Sequence, residues 1–214
     1  MSNDIIKNNQ VTIIGEIASG FSFSHEFQGE KFYTVDVKVK RLSDTYDYIP
    51  VIVSDRLTDV QKDHIGILVK VTGQFRSHNK HEETRSRLVL TVFARDIEVV
   101  DHVDVGSDSN HIYLDCYICK KPFYRNTPLG REITDLFVAV NRPYGKSDYI
   151  PCICWGRNAR YAETLNPGTR LVVEGRIQSR EYVKKLSDGV EELRTAYEVS
   201  VSKIEVIDDE EQSD

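Results

Sequence analysis

The residues with the most to offer chemically are aromatics and cations spaced two apart, in SDYIPCICWGR and GRIQSREY. Side chains of a strand alternate between its two faces. Tyr149, Pro151, Ile153 and Trp155 would therefore share one face, and Glu174, Arg176, Gln178, Arg180 and Tyr182 the outward face of a later strand. Ring faces beside guanidinium groups suit a ligand that exposes both phosphates and unstacked bases, each stacked base contributing about 1–3 kcal/mol. A lone exposed aromatic more often packs against a loop or a subunit. Several of them beside several arginines favour a single-stranded nucleic acid.

Catalytic chemistry has no such support. The chain contains no G-x-S-x-G, no HExxH and no Gly-rich phosphate loop of nucleotide-binding spacing, so no catalytic residue and no enzyme is expected. Cys116, Cys119, Cys152 and Cys154 could hold zinc only if all four thiols converged at about 2.3 Å from one metal. Alternation sends Cys116 and Cys119 to opposite faces and puts Cys152 and Cys154 among core positions. The reading is therefore reduced thiols, with no metal and no cofactor. The histidines, His78, His81 and His111 among them, show no ligand spacing with acids.

The elements that position these groups come in two copies. DYIPVIVSDR at Asp47 returns as DYIPCICWGR at Asp148, an offset of 101 residues that also relates Val11 to Ile112 and Gly29 to Gly130. The offset becomes 102 between GILVKVTGQFRS and GTRLVVEGRIQS, then 107 between ARDIEVV and VSKIEVI. Such slippage is expected in one hairpin loop, because connections tolerate insertion and paired strands do not. In the second copy, strand character appears over 112–119, 133–141, 149–154, 171–179 and 195–206. RNARYAETLNPG supplies a short helix between the third and fourth strands. SDRLTDVQKDHIG offers the same helix in the first copy, capped by Ser54 or Asp55 and ended at Gly66. The fold expected is all-β: two tandem five-stranded OB-type Greek-key barrels, each with one short helix between strands 3 and 4. The polar link HVDVGSDSNH divides them near Ser107, giving 1–106, 107–207 and an acidic, disordered tail 208–214.

Charge distinguishes the copies. Residues 1–110 carry 13 Lys+Arg against 17 Asp+Glu, residues 111–207 carry 15 against 12, and the tail DDEEQSD adds five acids, within a total of −6. Only the second copy has the sign that attracts a phosphate backbone. The acidic first copy and tail also fit a scaffold that docks onto a basic replication or mobile-element protein, with nucleic-acid binding secondary. No stretch reaches the roughly 18 apolar residues of a membrane span, and MSNDIIKNNQ lacks an apolar signal core, so a cytoplasmic protein without membrane contact is expected.

TPLGREITDLFVAVNRPYGKSDYIPCICWGRNA followed by NPGTRLVVEGRIQSREY resembles the bacterial single-stranded-DNA-binding family, over most of 112–207. The resemblance implies an OB-fold that wraps single-stranded DNA without strong sequence preference and without catalysis, in replication, recombination or repair. It places base-stacking aromatics at Tyr144, Tyr149, Trp155 and Tyr182 and backbone contacts at Arg142, Arg176 and Arg180. In the first copy the stacking positions are Ser43, Tyr48, Ser54 and Lys80, so Tyr48 alone is aromatic and weak binding or a dimerisation role is expected there. Phe21, Phe23, Phe27, Phe32 and Tyr33, beside Lys31, offer either another platform or a hairpin filling its own core. The family commonly sets four OB-folds around one DNA, which two chains of this kind would supply as a homodimer. Its acidic, Pro-Phe-ended tip, which recruits replication and repair proteins, has only DDEEQSD as a counterpart, and the usual glycine and basic residue of the first strand are Cys116 and Tyr117. RNA is disfavoured only through the resemblance, since stacking does not read the sugar.

Overall fold

The computed structural model describes residues 7–41, 43–82, 85–103, 109–185 and 189–207. The expected division near Ser107 and the acidic tail 208–214 lie outside the described residues. The first half forms β1 (Asn9–Ile17), β2 (Ser22–Phe27), β3 (Glu30–Lys40), β4 (Tyr46–Ser54), β5 (Leu68–Glu82) and β6 (Arg85–Val99). The second forms β7 (Asn110–Ile118), β8 (Phe123–Asn126), β9 (Glu132–Arg142), β10 (Lys146–Trp155), α1 (Gly156–Glu163), β11 (Arg170–Lys185) and β12 (Glu191–Val206).

Each half closes by the same pairings. β3–β4, β5–β6 and β1–β5 are antiparallel and β4–β6 is parallel, matched by β9–β10, β11–β12, β7–β11 and β10–β12. This is the mostly antiparallel, OB-type all-β architecture the order of elements predicts. The short β2 and β8 add a sixth strand to each expected five, by extending the first hairpin. Alternation holds: Leu171, Val173, Gly175 and Ile177 are buried and the residues between them half-buried, while Val11, Ile13, Val35, Val37, Ile49 and Val51 fill the first core.

Two expectations need correction. No helix forms over 55–66; α1 is the single α-helix among the described residues. The reason is in the side chains. Asp59 and Asp63 accept hydrogen bonds from the backbone N–H groups of Gln61 and Ile65, two residues on, and such local bonds compete with helix. α1 instead carries Ala159 and Ala162, both fully buried beneath it. The offset also slips in two places. One residue is added in the α1 connection before β11 and five at the β11–β12 hairpin, so the strands keep register in both halves.

The halves join across β1 and β7, which pair antiparallel with Val11 opposite Ile112. These are equivalent residues of the repeat, so a pseudo-twofold axis passes between them and the sheet runs continuously through twelve strands. The contact is the intramolecular form of an isologous dimer interface. Buried Asn9 accepts the Phe75 N–H and donates to the Phe75 carbonyl, at 2.9 and 2.8 Å. Asn110 does the same with Ile177, at 2.9 and 2.7 Å. At the flanks, Asp47 accepts from the Ser179 N–H and hydroxyl, and Asp148 accepts from the Ser77 N–H. The repeated DYIP block thus ties each half to the other.

Candidate nucleic-acid interface

The second half's outward face is built by β10, β11 and β12. Trp155 ends β10, half-buried, and its indole N–H donates to the Ser200 hydroxyl at 3.2 Å. Ser200 pairs across the sheet with Arg176, which places the indole, the hydroxyl and the guanidinium in one patch. Arg176 Nε is buried with no hydrogen-bond partner among the described residues. A guanidinium fixed to the sheet but short of an acceptor is ready for an incoming anion.

This patch opens into a groove of about 880 Å³ that crosses the seam between the halves. Trp155, Arg176 and Ser202 line one side, and Lys38, Lys40, Arg41 and Tyr46 of the first half line the other. The Lys38 ammonium lies 4.4 Å from the centroid of the Tyr46 ring. Arg41 is already committed: its guanidinium holds both carboxylate oxygens of Asp47, at 2.5 and 2.8 Å, and the Ser179 carbonyl at 2.7 Å. The groove therefore offers two rings, one underused guanidinium and two ammonium groups held by exposed acids, Lys38 3.5 Å from Glu16, itself in the groove lining, and Lys40 3.6 Å from Asp44. A strand of stacked bases with phosphates facing the cations fits that inventory.

Further along the same face of β10 sits Tyr149, six residues and roughly 20 Å from Trp155. It is 45% exposed and its ring stacks on Phe137 of β9, centroids 6.0 Å apart, while Lys120 lies 4.9 Å from the Phe137 ring. Tyr144 caps the β9–β10 hairpin in a 3-10 turn, 99% exposed at φ 64°, a left-handed conformation that costs a residue with a Cβ about 1 kcal/mol or more. A strained, bare ring at a loop tip is a common mark of a ligand contact. Tyr182 and Arg180 lie on the β11–β12 arm, 5.8 Å apart ring to guanidinium, and the arm's sixteen-residue strands reach roughly 50 Å.

The structure therefore brings Trp155 and Arg176 into one groove, sets Tyr149 outside its lining on the same face of β10, and spreads Tyr144, Tyr182 and Arg180 over projecting hairpins. Arg142 is placed differently from the rest. Its Nε lies 3.3 Å from Asp148, out of line for a hydrogen bond, at the seam. Tyr48 is half exposed, and its carbonyl accepts the Tyr197 hydroxyl at 2.9 Å, again across the seam. Burial, with Asp36 and Asp47 nearby, pushes that Tyr197 hydroxyl up to about 12, so it remains a donor throughout the neutral range.

Phe137, Tyr46 and Lys38 escaped the sequence reading. Phe137 and Lys38 sit at outward positions of the strand pattern, and a period-two count of those strands would have exposed them. In the first hairpin, Phe23 and Phe27 are exposed, Phe32 is buried, and Phe21 and Tyr33 are half-buried. Cys116, Cys152 and Cys154 are core residues whose thiols burial pushes up, Cys154 to about 12, while Cys119 is exposed.

Residues 109–207 match the single-strand binding protein family. Over 80 residues the sequence is 34% identical to the single-stranded DNA-binding protein of Halalkalibacterium halodurans, covering 34% of this chain and 48% of that protein. It is also 34% identical to single-stranded DNA-binding protein A of Bacillus subtilis, covering 34% and 46% respectively. The chain spans about half the length of the curated relatives it matches. The crystal structure of the wild-type single-stranded DNA binding protein from Thermus aquaticus superposes with a TM-score of 0.73, covering 94% of this chain and 93% of that one at 19% identity, a likeness of fold. No helix among the described residues is long and apolar enough to cross a membrane.

Proposed function

We propose that this chain, whose residues 109–207 match the single-strand binding protein family, binds single-stranded DNA along the groove that holds Trp155 and Arg176. The observation that carries the reading is the composition of that groove: Trp155 and Arg176 face Tyr46, Lys38 and Lys40 across one opening. Bases stack on Trp155, and their path continues to Tyr149. Phosphates are met by Lys38, Lys40 and Arg176. Tyr144, Tyr182 and Arg180 close over the strand from the hairpins, and Arg142 and Tyr48 stand where the path crosses the seam. Nothing in this arrangement reads base edges, so binding is without strong sequence preference. The chain coats and protects single strands in cytoplasmic replication, recombination or repair, as a homodimer of four OB-folds. Its acidic residues 208–214 recruit proteins of those processes. It performs no catalysis.

Titration with oligo-dT, read by Trp155 fluorescence and by anisotropy of a labelled oligomer, tests this at low and high salt. Quenching that weakens steeply with salt is expected. Trp155→Ala should weaken binding about 5- to 150-fold while leaving the salt slope unchanged, because the ring contributes stacking alone. Arg176→Ala should instead reduce the slope by about 0.7, one phosphate contact on a single strand. No quenching together with no change in anisotropy would overturn the proposal and leave the scaffold reading.

A further inference from the structure

The sheet that runs through both halves ends in two open strands, β2 and β8. Among the described residues β2 pairs with β3 alone and β8 with β9 alone, so each leaves one edge of backbone N–H and C=O groups without a strand partner. Such an edge is a template for another chain, and the usual protections are Lys, Pro or a bulge. Neither SFSHEF nor FYRN contains Lys or Pro, and of the two hairpins only that of β2 is bulged, between Phe23 and His25. The rings are bare as well: Phe27 of β2 and Phe123 of β8 are 63% and 62% exposed.

The two ends are copies of one another in the repeat, yet they differ in sign. The first comprises 22–31 and the segment 55–66 lying against it, where the Asp55 N–H donates to the Lys31 carbonyl at 3.0 Å and Arg56 reaches Glu30 at 3.4 Å. It carries five acids against three Lys+Arg. The equivalent 123–132 and 156–168, tied by Arg160 to Glu132 at 2.8 Å, carry four Lys+Arg against two acids. Internal ion pairs do not cancel the difference. At the first end they engage Glu30 and Asp59, and Glu26, Asp55 and Asp63 stand outside the ion pairs of the described residues. At the second they engage Arg125 and Arg160, and Arg131 and Arg157 stand outside them. Lys120 and Lys121 precede β8 and add to the same sign. Like ends therefore repel and unlike ends attract.

We infer that the chain docks onto further copies of itself head to tail, the acidic β2 end of one copy against the basic β8 end of the next, with Phe27 and Phe123 covering each other between the two edge strands. The contact uses a different patch on each partner. It therefore leaves a free end after every addition and builds a row of chains instead of closing on a pair. The inference goes beyond the proposed function, because it involves neither the groove nor its ligand and holds without DNA.

Sedimentation velocity of the full chain without DNA, over a range of concentrations at low and high salt, tests it. At low salt, species larger than a dimer should grow with concentration, and high salt should disperse them. Glu26→Lys and Arg131→Glu change exposed positions, and each turns an attraction into a repulsion. An exposed pair contributes little, and reversal counts it twice, so each should weaken association about 2- to 30-fold. Both changes in one chain restore opposite signs across the contact, and association should return toward that of the parent. That recovery is specific to head-to-tail docking, since a contact between like ends would answer to one of the two changes alone. Hydrogen exchange locates the contact: amides of 22–27 and 123–126 should slow as concentration rises at low salt. Absence of species larger than a dimer, a double variant no better than the single ones, or unchanged exchange at both strands would each overturn the inference, whatever the outcome with oligo-dT.

Discussion

Asp47 and Asp148 occupy equivalent places in the repeat, and both are 1% exposed, yet neutralising them should have very different effects. Asp47 accepts four hydrogen bonds: two from Arg41 and two from Ser179. Asn at this position keeps one acceptor oxygen and turns its amide hydrogens toward the Arg41 guanidinium, leaving a partly buried cation facing donors. Removing one partner of a buried pair costs about 3–5 kcal/mol, and Arg41, 27% exposed, recovers part of that in solvent, so about 2–4 kcal/mol is expected. Asp148 has one in-line bond, from the Ser77 N–H, which Asn can still accept, and an Arg142 contact at 3.3 Å without hydrogen-bond geometry. Burial raises its carboxyl above the usual carboxylate range, outweighing Ser77, Arg142 and Arg76. The charged form is therefore disfavoured on folding, and Asp148→Asn should cost at most about 1 kcal/mol at pH 7. Urea unfolding of both variants separates the cases, and pH sharpens the contrast. Between the unfolded pKa near 3.8 and the raised folded value, the native chain binds more protons than the unfolded one, so this group's contribution to stability grows as pH falls through that window. The Asp148→Asn variant should lose that growth. Equal losses for the two variants at pH 7, or an unchanged pH profile in Asp148→Asn, would refute the asymmetry of the seam.

Gly175→Ala should lower the melting temperature by several degrees and weaken DNA binding. A Cβ there would stand 2.2 Å from the Ser200 carbonyl at the β11 bulge, and relieving the clash shifts the strand that carries Arg176, at about 1–3 kcal/mol. Differential scanning calorimetry and oligo-dT titration measure the two effects; a variant equal to the parent in both would contradict the close approach. Thiol titration with an aromatic disulfide should modify Cys119 alone in the folded chain and all four cysteines in denaturant. The Cys119 rate should rise toward pH 9, because partial burial raises that thiol too. Prompt native reaction of Cys116, Cys152 or Cys154 would show those strands opening.

Strand positions were legible because a half-buried sheet imposes period two, and the repeat doubled the signal at every strand. The helix expected over 55–66 failed because propensity and caps cannot foresee aspartates bonding their own turns, as Asp59 and Asp63 do. Only half of the candidate groove was legible in the sequence, for a related reason. Trp155, Arg176 and Tyr149 stand on strands whose neighbours are the same in every copy of the fold, so alternation alone aims them outward. The groove's other wall, Lys38, Lys40 and Tyr46, comes from the other half through β1–β7 pairing, and no local pattern announces that seam.

Position-by-position transfer compares only like columns of the repeat. It asks whether residue 54 is aromatic, finds serine, and expects weak binding. A ligand meets a surface and not an alignment column. Ile52 lies beside Phe93 across a parallel pair, where strands stand about 4.8 Å apart, so a ring on β6 covers nearly the ground that a ring on β4 would. Ser54 meanwhile bonds Glu30, which also pairs with Arg56 at 3.4 Å. Charge along the first half is uneven: Glu30 lies two residues from Phe32, whereas Arg76, Arg95 and Arg142 gather near Asp148. Net charge over a segment therefore says less about where a polyanion can lie than the local surplus of guanidinium groups over the carboxylates that reach them.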